Sequence, residues 1–354
     1  MIEPLANLKI GSVHVGFPVV QAALSGYSDW PMRVIARRLG ASYTLCEVVL
    51  DQTILKGGKK NLRRLLRVSG EEQPVGGQLM GSQPAEFATA ALTLAAAGFS
   101  VIDINFGCPV RKVLGRCRGG FHLSQPDVAL EIVGRVRDAL PEEIPVTLKM
   151  RRGIDDGEES RDMFYTIFDG ARRLGAAAIT VHGRSVQQRY DGPSCWDFLS
   201  EVKRHAGDFP VLGSGDLFTA EACFDMLRQT GVNGVTVARG AIGNPWIFQQ
   251  ARELAAGRTL PDPPSLFEQR EVIADHYRLA EEIYGPEPCC RQMRKFGIKY
   301  SQLHPDSDAV RRAFVSVREP PDWPAVLEHW YAEDLPGRHP PAEPESQQAA
   351  ESCG

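Results

Sequence analysis

The sequence contains no apolar run long enough to cross a bilayer as a helix, which takes about 20 residues. Its N-terminal stretch MIEPLANLKIGSVHVG lacks the basic, apolar and small-residue succession of an export signal. A soluble, unexported, cytoplasmic protein without membrane contact is therefore expected. The eight cysteines (Cys46, Cys108, Cys117, Cys195, Cys223, Cys289, Cys290 and Cys353) form no repeated CxxC and have no clustered histidines beside them. That spacing argues against a structural zinc or other metal site, and in a reducing cytosol against a disulfide framework. Charge of one sign is scarce too, with Lys+Arg 40 against Asp+Glu 44 and a formal net charge of −4. With 43% apolar and 24% charged residues, the composition excludes collagenous and wholly disordered chains. A length of 354 residues suits one large domain with a smaller companion.

A mildly acidic total seems to speak against nucleic acid, but the placement of the charges removes that objection. From Tyr331 onward the chain carries five acids and one base, so the remaining 330 residues hold 39 bases and 39 acids. This tail is rich in Pro, Glu and Ser and has almost no large apolar residue after Leu335, which predicts disorder over 332–354. Within the balanced body, bases cluster. Lys56, Lys59, Lys60, Arg63, Arg64 and Arg67 lie between Asp51 and Glu71 with no acid among them. Residues 286–318 hold seven bases (Arg291, Arg294, Lys295, Lys299, Arg311, Arg312 and Arg318) against three acids, and a third group is Arg111, Lys112, Arg116 and Arg118. Any single cluster reads most simply as a solvated helix face. Three in a neutral body point to a polyanionic partner.

Eight short apolar runs, often β-branched, recur over 17–23, 43–49, 74–80, 100–106, 145–150, 178–183, 210–215 and 233–238. Segments of helical period separate them. DVALEIVGRVRDAL places Val128, Ile132, Val133 and Val136 on one face, and PAEFATAALTLAAAG ends at Gly98 like a glycine-capped helix. Eight strands alternating with helices predict a closed (β/α)8 TIM barrel over 1–258. A doubly wound sheet would need a G-x-G-x-x-G turn after the first strand, where the sequence reads ALSGYSD. PDPPS then forms a hinge, and 259–331 reads as a small all-helical domain broken at GPEP and HPDSD. A monomer is expected.

Barrel enzymes work at the C-terminal ends of their strands. Six consecutive strand ends here terminate in polar groups: Gln78, Asn105 with Cys108, Lys149 with Arg151, His182 with Arg184, Gly213-Ser214-Gly215-Asp216, and Ala238-Arg239. The last two occupy the usual barrel phosphate position, where glycines admit backbone N–H groups and Arg239 adds a bidentate charge. The residues thus lead to a phosphorylated cofactor. Flavin mononucleotide across the mouth suits them, with Lys149 at its anionic edge. Cys108 sits in N-F-G-C-P, a tight turn past strand four. A neutral thiol there is a general acid, one of lowered pKa a nucleophile.

DINFGCPVRKV (103–113), LKMR (148–151), TVHGR (180–184) and RGAIGNPWIF (239–248) closely resemble the dihydrouridine synthase family, in particular its bacterial B-type branch. The similarity runs in order from about residue 8 to 331. It implies an FMN-bound barrel, an RNA-binding helical domain, and reduction of the uracil C5–C6 bond in tRNA with NADPH or NADH as the electron source. Carried over, Cys108 protonates C5 after hydride reaches C6, and Asn105 and Arg151 hold the uracil. Gln78, Lys149 and His182 contact the flavin, Gly215, Asp216 and Arg239 hold its phosphate arm, and Arg291, Arg294, Lys295 and Lys299 bind the tRNA backbone. The chain departs from the family at four places. Ala22-Ala23-Leu24-Ser25-Gly26 replaces A-P-M-A-G under the flavin, Ser214-Gly215-Asp216 replaces N-G-D, Ala238 replaces a Gly, and Gly119-Gly120-Phe121-His122-Leu123 replaces G-S-A-L-L. The alternatives are the same chemistry on ribosomal RNA, a flavin barrel acting on a small molecule, and an RNA-binding protein with a decayed site.

Overall fold

A computed structural model of the chain describes residues 5–341. The chain opens with an antiparallel hairpin, β1 (Leu8–Ile10) and β2 (Val13–Gly16), that the hydrophobic runs do not announce. All eight predicted runs then become parallel strands: β3 (Val19–Gln21), β4 (Thr44–Leu50), β5 (Val75–Met80), β6 (Val101–Phe106), β7 (Val146–Arg151), β8 (Ala178–His182), β9 (Val211–Ser214) and β10 (Gly234–Val237). They pair in chain order and close where β10 meets β3, which makes the expected (β/α)8 barrel.

Alternation along the strands builds two cores. Ile102, Ile104 and Phe106 of β6 face outward into the main apolar core under the helices. Val101, on the opposite face of the same strand, joins Val20, Tyr43, Leu45, Ala178 and Leu212 along the barrel axis. The opening hairpin completes this inner core with Leu8, Ile10 and Val15. It lies at the N-terminal end of the strands, where Ser12 Oγ donates to the Glu143 carbonyl ahead of β7 at 2.7 Å. The barrel is therefore stoppered at the end away from the polar strand termini.

Ten helices accompany the strands: α1 (Trp30–Arg38), α2 (Asp51–Lys56), α3 (Lys59–Leu65), α4 (Pro84–Ala96), α5 (Arg111–Leu114), α6 (Pro126–Ala139), α7 (Glu158–Arg173), α8 (Trp196–Ala206), α9 (Ala220–Thr230) and α10 (Ile247–Ala255). On α6 the predicted Ile132, Val133 and Val136 are buried, with Ala129 beside them and Val128 at the edge. After the PDPPS hinge come α11 (Leu266–Tyr284), α12 (Pro286–Tyr300), α13 (Ser307–Ser316) and α14 (Asp322–Trp330). These helices are bolted to the barrel through α1. Leu279 of α11 packs on Trp30, Val34 and Ile35, and ion pairs Arg38–Asp275 and Arg67–Glu282 flank that contact. Residues 332–341, where disorder is expected, carry no helix or strand but are anchored. The Leu335 carbonyl accepts from the Leu266 amide at 2.9 Å and the Asp334 carboxylate from the Phe267 amide at 3.1 Å, so this segment caps α11. Arg338 donates from its amide to the Leu303 carbonyl at 2.9 Å and from Nε to the Gln302 carbonyl at 2.8 Å. The rest of the expected disordered tail, 342–354, lies outside the described residues. Among the described residues no helix is long and apolar enough to cross a membrane.

One buried ion pair locks the basic segment 56–67 to this frame. Arg33 of α1 donates from Nε to Glu72 Oε2 at 2.6 Å, and from its other nitrogens to the Ser28 and Arg67 carbonyls at 3.1 and 2.7 Å. Both side chains are excluded from water. Glu72→Ala strands the guanidinium and is expected to cost about 3–5 kcal/mol in urea unfolding, whereas apolar replacement of both partners recovers most of that loss. A single-mutant cost below ~1 kcal/mol would refute the assignment.

Candidate active site

The polar strand ends converge on the open mouth of the barrel, and a directional hydrogen-bond relay organises them. Asp103 and Asn105 share the inward face of β6, where the register sets Gln78 beside Asp103 and Asp103 beside Thr147. Thr147 Oγ1 donates to Asp103 Oδ1 at 2.6 Å, and Gln78 Nε2 donates to Asp103 Oδ2, also at 2.6 Å. Gln78 Oε1 then accepts from Asn105 Nδ2 at 2.7 Å, and Asn105 Oδ1 accepts the amides of Gly107 and Cys108 at 3.0 and 3.1 Å. A carboxylate only accepts, so Asp103 turns both amide side chains the same way and leaves an oxygen for the Cys108 turn. Burial raises the Asp103 pKa, against the Thr147 and Gln78 hydrogen bonds and the nearby Lys149 charge.

Cys108 is partly exposed on that turn. Gly120 N donates to its carbonyl at 3.0 Å. Gly119 has φ +59°, and a Cβ there would lie 2.8 Å from that of Cys108, so a side chain at 119 fits neither the backbone nor the space. Burial pushes the Cys108 thiol above its ordinary pKa despite the Val110 amide and the charges of Arg151 and Lys149. Burial therefore favours the protonated thiol at neutral pH. Lys149 is pushed down to about 8, first by burial and then by Arg151. His182 accepts the Arg184 amide on Nδ1 at 3.1 Å. Burial, together with the cations Lys149, Arg151, Arg184 and Arg239, keeps this ring neutral, so Nε2 carries the proton.

The far side of the mouth is built for an anion. Gly215 has φ +124°, and a Cβ there would lie 2.2 Å from Ser194 Oγ. Among the described residues, no turn or loop backbone hydrogen bond uses the amides of Gly215, Arg239 or Gly240. Arg239 stands half-buried between the rings of Tyr190 and Phe218, its guanidinium carbon 4.9 and 5.1 Å from their centroids. Asp216 stands between two arginines: its carboxylate takes Arg184 Nη2 at 2.7 and 2.8 Å and the Ser194 amide at 2.7 Å, and its Oδ1 lies 3.8 Å from Arg239 Nη2. Asp216 therefore braces the loop 184–194 and repels an anion, so only its backbone suits the role the family resemblance gave it.

Three further expected site residues have partners within the chain. The Asn105 amide is engaged on both ends by the relay. Arg151 donates from Nε to the Gly107 carbonyl at 3.0 Å and from Nη1 to the Ser185 and Arg189 carbonyls at 2.8 and 2.7 Å, which clamps the Cys108 turn to the loop after β8. Lys295, expected on RNA, sends its ammonium to the Gly26 carbonyl and lies over the Tyr27 and Phe296 rings. It thereby fixes the loop holding Ala23, Leu24 and Ser25, where Ser28 Oγ also accepts the Leu24 amide at 2.8 Å. Of the other α12 bases, Arg291 and Lys299 are exposed, and Arg294 is half-buried. Partial desolvation of the Lys299 ammonium, with the charges of Arg311 and Arg239 nearby, lowers its pKa. Ser214 is buried at the end of β9, and Ala238 precedes Arg239 at the rim. Sequence reasoning missed Asp103 and Thr147, although a carboxylate inside the apolar run VIDINF was the available signal. Among the described residues no cluster of His, Cys, Asp and Glu could hold a metal.

Two outcomes test this geometry. Asp103→Asn removes the acceptor that orients the relay, and a misplaced Cys108 turn is expected to lower kcat roughly 100-fold with the fold intact by circular dichroism. Unchanged turnover would show that the relay does not position the thiol. The second concerns Lys149, which loses its proton near pH 8 rather than at the ordinary 10.5. Over that window the unfolded chain binds the proton that the folded chain lacks, so this group's contribution to stability rises with pH. NMR of reductively methylated lysines is expected to show one signal titrating near pH 8 that Lys149→Met removes; every lysine titrating normally overturns it.

The chain matches the family model described as dihydrouridine synthase over residues 20–332. It is 34% identical over 336 residues to "tRNA-dihydrouridine synthase B" of Xanthomonas axonopodis pv. citri (strain 306), spanning 95% of this chain and 98% of that protein. It is 32% identical over 329 residues to "Probable tRNA-dihydrouridine synthase" of Mycobacterium tuberculosis (strain CDC 1551 / Oshkosh), spanning 90% of this chain and 83% of that protein. Among solved structures, a morphinone reductase variant in complex with tetrahydroNAD shares the barrel, with a TM-score of 0.55 at 13% identity, covering 74% of this chain and 92% of that one. With the motifs at the barrel mouth and this match across nearly the whole chain, the protein belongs to the dihydrouridine synthase family.

Proposed function

We propose that the protein is an FMN-dependent tRNA-dihydrouridine synthase that draws electrons from NADPH or NADH and reduces the C5–C6 bond of a uridine in tRNA. The observation that carries this reading is the Cys108 turn fixed at the barrel mouth by the Asp103 relay and Arg151, with the cationic Arg239 turn on the far side. The residues fit FMN. Arg239 and the amides of Gly215 and Gly240 would hold its phosphate, Lys149 and the Nε2–H of His182 its ring edge, and the loop Ala23-Leu24-Ser25 its underside. FMN, when bound, supplies the hydride added to C6 of the uracil.

The chain's own residues supply the rest. Cys108 Sγ holds the proton destined for C5, and burial keeps it there at neutral pH. The Asp103 relay and the Arg151 clamp orient the thiol, while Lys149 provides positive charge beside it. The hairpin stopper excludes water from below. We take 1–258 as the catalytic part and 259–331 as the RNA-binding part of a cytoplasmic monomer. The target uridine must leave its stack to reach the mouth, and the exposed bases of α3 and α12 would meet the tRNA backbone, so binding should weaken steeply with salt. The relatives' names support tRNA as substrate.

The test is expression in a strain lacking its own dihydrouridine synthases, with dihydrouridine quantified in purified tRNA. Its appearance is expected; its absence from every tRNA overturns the reading. Cys108→Ala should retain the yellow colour of bound flavin and lose uridine reduction, and a fully active mutant would rule out the thiol as acid.

A further inference from the structure

Beside the thiol lies a cavity of about 480 Å³ that the site as described does not use. Its floor is apolar, from Pro109, Phe121, Ile154 and Val186, and its rim carries Arg111 and Arg189. These residues come from the loops after β6, β7 and β8, so the cavity opens on the same end of the barrel as the mouth. Among the described residues no carboxylate lines it. Its wall is continuous with the Cys108 turn: Pro109 follows Cys108, Gly120 N holds the Cys108 carbonyl at 3.0 Å, and a Cβ at Gly120 would lie 2.7 Å from Val186 Cγ2.

An apolar floor with a ring face and a cationic rim is complementary to a nucleotide, whose base is flat and apolar and whose phosphate is anionic. The volume lies within the roughly 300–1,000 Å³ of small-ligand pockets. Phe121 makes the floor aromatic where the family motif quoted above has Ala. Its neighbour His122 is buried and fixed, with Nε2 at 3.0 Å from the Gly81 carbonyl and its ring 5.1 Å from Phe106 and 6.1 Å from Phe121. From this placement we infer that the cavity receives the nucleotide adjoining the target uridine, its base on Phe121 and its phosphate at the arginine rim. This rests on tRNA being the substrate. The pocket selects which uridine is reduced: a uridine reaches Cys108 only when its neighbour is splayed out with it.

The test uses the full-length flavin-loaded enzyme with transcribed tRNA, in wild type and in Phe121→Ala, Phe121→Trp and Arg111→Glu. Phe121→Ala should raise the KM for tRNA roughly ten-fold with kcat largely kept, Phe121→Trp should restore it, and Arg111→Glu, at an exposed position, should raise KM without touching the floor. Transcripts made abasic on either side of the target separate stacking from a merely structural role. One of the two should weaken wild type as much as Phe121→Ala does, and combining that transcript with the mutant should add nothing further. An active wild type with unchanged KM in both Phe121→Ala and Arg111→Glu, or losses that add fully with both abasic transcripts, overturns the pocket alone. A wild type inert on every tRNA overturns the proposed function and the pocket with it.

Discussion

The mouth of this barrel depends on a single buried carboxylate. Asp103 accepts on both oxygens, and because it has no hydrogen to give, every donor in the relay points toward it. Gln78 and Asn105 could each sit either way round in isolation. The charge at the end of the line decides for both, and the decision ends at the amides of Gly107 and Cys108. A neutral residue at 103 would leave the relay free to reverse. The cost is burial of a charge, which the raised Asp103 pKa registers.

The helical part serves the same site from outside. The barrel closes where β10 pairs with β3, and the helices grip the loops after both strands, as they do the segment after β4 through Arg67–Glu282. Lys295 holds the Gly26 carbonyl after β3, and Tyr284 donates to Asp29, the cap of α1, at 2.7 Å. On the other side of the seam, a Cβ at Gly243 would lie 2.3 Å from the Lys299 backbone, and Gln302 Nε2 donates to the Ile242 carbonyl at 3.3 Å. The joint that closes the sheet is thus stapled by the segment that supplies the basic surface.

Much of this was legible in the residues. Eight β-branched runs separated by helical periods leave little freedom but a barrel, and polar residues ending six of them mark its working face. The helical segment from 266 onward was legible from its periodicity and its breaks. Pair-level facts were not. Arg151, Lys295 and Asp216 look in sequence like ligand-binding charges, yet their partners are backbone groups and an arginine brought close only by folding. The opening hairpin escaped because two strands of three and four residues carry too few apolar positions to show a period. Tail composition predicts disorder, and over 332–341 that expectation fails, because composition does not register that Asp334 and Arg338 meet fixed partners.

The hairpin that stops the lower end of the barrel also governs traffic. With Leu8, Ile10 and Val15 packed into the axis, the described residues close the lower end and leave the polar mouth open. Under the proposed function, a nicotinamide and a transfer RNA would both approach through that mouth, because a short turn of chain closes the side of the barrel opposite the chemistry.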